Sequence, residues 1–218
     1  MSSNRKKVIV FTPNKNYRKK DYEYAFKPES EALCNFLMDK YEKENTYVDI
    51  DVTRVDISRS KTGCLLEMVE TIAKVFWMYM ADIDIIYFLC HGYQWGIQLG
   101  LNRRNIEEFI DVVHEYLSPD IKFIFYCCNV AKNRGLCEYL TKVLIKKDFR
   151  DFRVVGHNTR GHTTKNPYVK VFDKAHPKGY YIIPPKSVTF KKWRKLLKTD
   201  FRFEYPLLDI EEIRKRIQ

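Results

Sequence analysis

The sequence predicts an α/β three-layer sandwich: a mainly parallel six-stranded sheet with helices on both faces, followed by a C-terminal helical tail. Three observations carry this expectation. Short β-branched and aromatic runs almost free of charge, such as residues 83–90 and 121–127, suit strands buried on both faces of a parallel sheet. They alternate with segments of helical period, the order expected of a covered parallel sheet. Neither a repeat nor a low-complexity linker interrupts the 218 residues, a length that suits one sizeable domain. That domain is assigned to residues 1–186 and the helical tail to residues 187–218.

The elements follow in order. Residues 8–12 read as a strand closed by Pro13, and the polar, aromatic-rich residues 14–27 read as a loop without a clear period. Pro28 opens a helix to about residue 42, with Ala32, Leu33, Phe36 and Leu37 on one stripe. Over residues 47–55, Val48, Ile50 and Val52 alternate with Asp49, Asp51 and Thr53, which predicts a half-exposed edge strand. Residues 64–80 form a helix that is apolar nearly all round, and residues 83–90 the next strand. A short hairpin is expected over 93–100, then a helix over 105–116 that stops at Ser118-Pro119. Strand 121–127, helix 134–146 and strand 152–156 lead into a polar loop over 157–167 containing Gly161. A sixth strand spans 180–183 before Pro184-Pro185, and the tail divides into two amphipathic helices separated by residues 201–206.

Composition sets outer limits. No apolar stretch approaches the roughly 20 residues of a membrane span, and the apolar segment 8–11 is too short for the core of a signal peptide. The expected compartment is therefore the cytoplasm, or a virion for a chain of phage or viral origin, with the six cysteines reduced. The net charge of +11 gathers at Arg18-Lys19-Lys20, Lys146-Lys147 and Lys191-Lys192-Trp193-Arg194-Lys195. An acidic partner suits such patches, and phosphate affinity follows the same physics. Nothing matches a nucleic-acid-binding motif, so nucleic acid is not the favoured partner.

Chemistry concentrates at two strand ends. One delivers His91 before Gly92; the other delivers Cys127 and Cys128, 37 residues after the histidine for the second thiol. Parallel strands bring their C-terminal ends to one edge, where open α/β sheets place their sites. A histidine beside a thiol can take its proton and later protonate a leaving group. A glycine next to it admits substrate backbone and offers an amide to a developing oxyanion. Neighbouring strand residues point to opposite faces, so one of the two cysteines is expected in the core and the other outside it.

This order of parts resembles the caspase-like cysteine peptidases, the group of caspases, metacaspases and CHAT domains. The resemblance rests on Asp82 to Gly92, on Ile121 to Asn129, and on the Gly96-Ile97-Gln98-Leu99 hairpin and helix between them, and covers roughly residues 8–183. It implies a cysteine endopeptidase needing no cofactor, with His91 as base, Cys128 as nucleophile and the amides of Gly92 and Cys128 as oxyanion donors. The substrate would be a protein or peptide. Caspases carry Gln-Ala-Cys-x-Gly at the nucleophile; here the run is Tyr126-Cys127-Cys128-Asn129-Val130. By the same resemblance Tyr126 would line and narrow the pocket before the cleaved bond. The 157–167 loop would bring His157, Arg160, His162 and Lys165 to the substrate as a basic wall favouring an acidic residue. Trp95, beside the expected cleft, is a further candidate for substrate contact.

Two other readings stand beside this one. Cys90, His91, Cys127, Cys128, His157 and His162 offer soft ligands for zinc, but vicinal cysteines diverge on a strand and seldom share one ion. No metal is expected. The same scaffold without turnover would be an interaction or structural protein, for example a component of a phage or viral particle, using its basic surface and helical tail.

Overall fold

The computed structural model describes residues 5–14 and 26–218. The Arg18-Lys19-Lys20 cluster and residues 15–25 of the expected first loop lie outside the described residues. The chain forms β1 (Arg5–Pro13), α1 (Lys27–Lys43), β2 (Tyr47–Val55), α2 (Lys61–Tyr79) and β3 (Ile83–Leu89). A hairpin of β4 (Gly92–Tyr93) and β5 (Gly96–Ile97) precedes α3 (Ile106–Val113), β6 (Leu117–Tyr126), α4 (Leu136–Lys146) and β7 (Arg153–His157). The chain closes with β8 (Val169–Phe172), β9 (Tyr180–Tyr181), α5 (Phe190–Leu196), α6 (Phe201–Glu204) and α7 (Ile210–Ile217).

Seven strands build one sheet in the order β2-β1-β3-β6-β7-β8-β9. The first five run parallel, β8 adds antiparallel to β7, and β9 adds antiparallel to β8. The sheet is thus α/β and mostly parallel, with one strand more than expected. The additional strand is β8, whose four residues are Val-Lys-Val-Phe. Lys170 breaks the apolar run that would have marked it, and that lysine is nonetheless buried because its Nζ donates to Asn133 Oδ1 at 3.0 Å.

Alternation along the central strands divides the core. Ile86, Phe88, Phe123 and Phe125 face α2, α3 and α4, whereas Tyr87, Leu89, Ile124 and Tyr126 face α1 and the tail. The tail supplies core to that second face through Trp193, Leu197, Phe203, Tyr205 and Ile213. It forms three helices rather than two, because residues expected as a separator hold α6, with Phe201 and Phe203 buried. On β1, next to the edge strand β2, Lys7 is 1% exposed. Its ammonium meets the Asp49 carboxylate and lies 3.7 Å from the Tyr79 ring centroid. Partial burial raises the Asp49 carboxyl, but hydrogen bonds from Arg5 and Lys7 outweigh it and hold the group below the usual range.

Helix boundaries follow local chemistry. The Ser60 hydroxyl accepts from the Gly63 amide at 3.1 Å to start α2, and Met80 ends it in the left-handed region at φ 49°. Expected from residue 134, α4 instead begins after Arg134, whose φ of 56° is incompatible with a helix. Among the described residues no helix is long and apolar enough to cross a membrane.

The tail's anchor is open to measurement. Trp193 is fully enclosed and its indole N–H donates to the Pro167 carbonyl at 2.9 Å. Trp193→Ala is expected to lower stability by about 3–5 kcal/mol. Trp77→Ala, at a side chain 60% exposed, should cost less than about 1 kcal/mol. Urea unfolding midpoints of the two variants check this contrast.

Candidate active site

The site grows out of one parallel pairing. β3 and β6 run in register to Leu89 opposite Tyr126, so the next residues, Cys90 and Cys127, also lie side by side. Their sulfurs are 3.4 Å apart in the core, and the Cys127 thiol reaches the Phe88 carbonyl at 3.3 Å. Burial pushes the Cys127 thiol far above its ordinary range, which leaves it protonated and poorly nucleophilic.

One residue further on, the two chains touch through backbone. A Cβ built on Gly92 would stand 2.6 Å from the Cys128 carbonyl oxygen, 2.8 Å from Cys127 Cβ and 3.0 Å from the Cys128 nitrogen. Only glycine permits this approach. The hairpin of β4 and β5 fixes the histidine side: the His91 carbonyl accepts from the Gln98 amide at 2.9 Å, and the His91 amide donates to Gln98 Oε1 at 3.3 Å. The exposed imidazole stands edge-on to Phe26, ring centroids 5.1 Å apart.

Cys128 leaves the strand at a sharp turn. Asn129 adopts φ 62°, a left-handed conformation that asparagine tolerates better than most residues. The turn is stitched to the 157–167 loop, with the Asn129 amide donating to the Thr159 carbonyl at 3.3 Å and the Ala131 amide to the His157 carbonyl at 3.1 Å. The Cys128 thiol is half-buried, its sulfur 3.6 Å from the Gly161 carbonyl oxygen. Cys127 and Cys128 therefore face opposite sides of the sheet and do not converge on one ion. Among the described residues no group of three or more His, Cys, Asp or Glu is placed to hold a metal.

The remaining expected residues divide. Tyr126 does not line an open pocket. It is 1% exposed, its ring stacks on Tyr87, and its hydroxyl donates to the Arg202 carbonyl at 2.5 Å. His157 is likewise enclosed at 1% exposure, 5.9 Å from the Tyr126 ring. The cause is common to both: alternation turns them toward the face that the tail then covers. Trp95 is exposed on the hairpin, with the Arg103 guanidinium 5.0 Å from its ring. Arg160 is exposed on the loop, as is His162, whose Nε2 lies 3.8 Å from Glu29 Oε1.

Several residues of this region lay outside the sequence reading. Glu29 on the first turn of α1 gathers the Thr164 hydroxyl at 2.6 Å and the Arg202 guanidinium at 3.4 Å, besides His162. It ties helix, loop and tail together. Its only mark in the sequence is the acidic position after Pro28, which also suits a helix start. Phe26 carried no signal, and Gln98 was read only as part of the hairpin.

Comparison with protein-family models and with curated proteins finds no match for this chain.

His157 supplies a measurable consequence. Neither of its ring nitrogens bonds a protein group, and burial lowers its pKa to about 3. Between that value and the unfolded value near 6.5, the unfolded chain binds the extra proton, so this group's contribution to stability is lost as pH falls. His157→Phe should remove up to about 1.4 kcal/mol per pH unit of slope between pH 6 and 4. Urea midpoints measured across that window in both proteins check it; equal slopes would contradict it.

Proposed function

We propose that the chain is a cysteine endopeptidase of caspase-like type, with Cys128 as nucleophile and His91 as its acid-base partner. The observation that supports it is the seat of Gly92 against the Cys128 backbone. It puts the residue after His91 in contact with the residue carrying the thiol.

The chemistry runs as follows. His91 takes the Cys128 proton, and the thiolate attacks the substrate carbonyl carbon to form a tetrahedral oxyanion. The Gly92 and Cys128 amides are the donors proposed for that oxygen. Collapse breaks the C–N bond, with the His91 imidazolium protonating the departing amine. Water, deprotonated by His91, then hydrolyses the thioester and restores the thiol. No step requires a cofactor. Arg160 and His162 on the loop beside Cys128 are the proposed substrate contacts, with Trp95 at the hairpin.

A second reading is favoured by one observation. Lys191, Lys192, Arg194 and Lys195 are all exposed around the buried Trp193, a basic face suited to an acidic partner. In that reading the scaffold binds without turning over.

An acyloxymethyl-ketone probe separates the two. Labelling of the full chain is expected, with loss in Cys128→Ala and in His91→Ala and retention in Cys127→Ala. Absence of labelling in the folded wild type, or equal loss in Cys127→Ala, would overturn the assignment.

A further inference from the structure

A cavity of about 430 Å³ lies between the loop after Cys128 and the antiparallel edge of the sheet, lined by Gln94, Lys132, Asn133, Asn158, Lys170 and Tyr181. None of these six carries a carboxylate. Lys170 is 8% exposed. Its ammonium donates to Asn133 Oδ1 at 3.0 Å and sits 5.4 Å from the Tyr181 ring centroid. An ammonium has three donors, so this bond uses one of them.

Among the described residues no carboxylate forms an ion pair with Lys170. Glu138 is the acid that acts on Lys170, but its carboxylate already accepts from Lys142 Nζ and from the Arg134 amide, both at 2.8 Å. Lys132 is exposed at the cavity and makes no ion pair among the described residues. The Tyr181 hydroxyl accepts from Asn158 Nδ2 at 2.7 Å, which leaves its own proton to donate. Burying an ammonium beside neutral partners is costly, and desolvation here weakens its hold on the proton. An anion in the cavity would reverse both effects.

We infer that this cavity is an oxyanion-binding site, holding a phosphate or carboxylate group between Lys170 and Lys132 with the Tyr181 hydroxyl as a further donor. It is separate from the thiol. Val169 and Val171 face the α1 side, so Lys170 projects to the α4 side, whereas Cys128 faces the Gly161 carbonyl. The two are joined by residues 129–133, whose amides bond the 157–159 backbone on one side and whose Lys132 and Asn133 line the cavity on the other. The anion can be a free ion or an acidic side chain, since both present the same oxygens. The inference does not rest on the peptidase reading.

Calorimetric titration of the full chain with inorganic phosphate at constant ionic strength tests it. One saturable site with a Kd of about 1 mM or tighter is expected. Lys170→Met should weaken binding at least about tenfold and Lys132→Gln several-fold, while Lys43→Gln at the exposed end of α1 leaves it unchanged. Lys132 is exposed, so its variant remains informative even where Lys170→Met fails to fold. Absence of saturable binding, or equal binding in Lys132→Gln and wild type, would overturn the inference. A glutamate-containing peptide and its glutamine counterpart then distinguish the sources. Displacement of phosphate by the glutamate peptide alone assigns the site to an acidic side chain. Displacement by neither assigns it to the free ion, and equal displacement by both contradicts an oxyanion site. Probe labelling of Cys128 is read independently, so failure of either proposal is recognisable on its own.

Discussion

Everything at the candidate site depends on how closely two strand ends approach. The parallel pairing of β3 with β6 continues beyond its last hydrogen-bonded pair until the Gly92 backbone rests on Cys127 and Cys128. A side chain at Gly92 would collide with main-chain atoms that have no room to move. The approach therefore requires glycine, and it brings the residue after His91 against the residue carrying the thiol. The β4–β5 hairpin secures one partner, and the bonds from residues 129 and 131 to the 157–159 backbone secure the other.

The same pairing decides what each cysteine can do. Alternation sends Cys127 into an apolar layer beside Cys90, where burial keeps its thiol protonated. Cys128, one residue on, escapes that layer and meets the Gly161 carbonyl at a half-buried position. Two chemically identical side chains thus acquire different environments from a single step along a strand. Core packing and site chemistry are here one constraint.

Much of this was legible in the sequence because it rests on short-range rules. Apolar run lengths located β3 and β6, His-Gly and the cysteine pair marked their ends, and strand alternation set the two cysteines on opposite faces. Long-range placement was not legible. Tyr126 and His157 look like pocket residues until distant packing encloses them: the tail covers Tyr126 through Phe203 and the Arg202 carbonyl, and His157 lies buried 5.9 Å from the Tyr126 ring. β8 was hidden for a related reason, since Lys170 reads as solvent-facing unless the Asn133 partner is known. Glu29 serves three elements at once, and no local pattern reports a residue whose partners lie on a distant loop and helix.

The central claim is that His91 and Cys128 form one chemical unit. The most direct measurement is the rate at which iodoacetamide alkylates Cys128 at neutral pH, read by mass spectrometry of the Cys128 peptide in wild type and His91→Ala. The account predicts that losing the imidazole slows the reaction at least about tenfold, because the thiolate is the attacking species. It predicts too that Cys127 stays unmodified in both folded proteins. Equal Cys128 rates with and without His91 would contradict it.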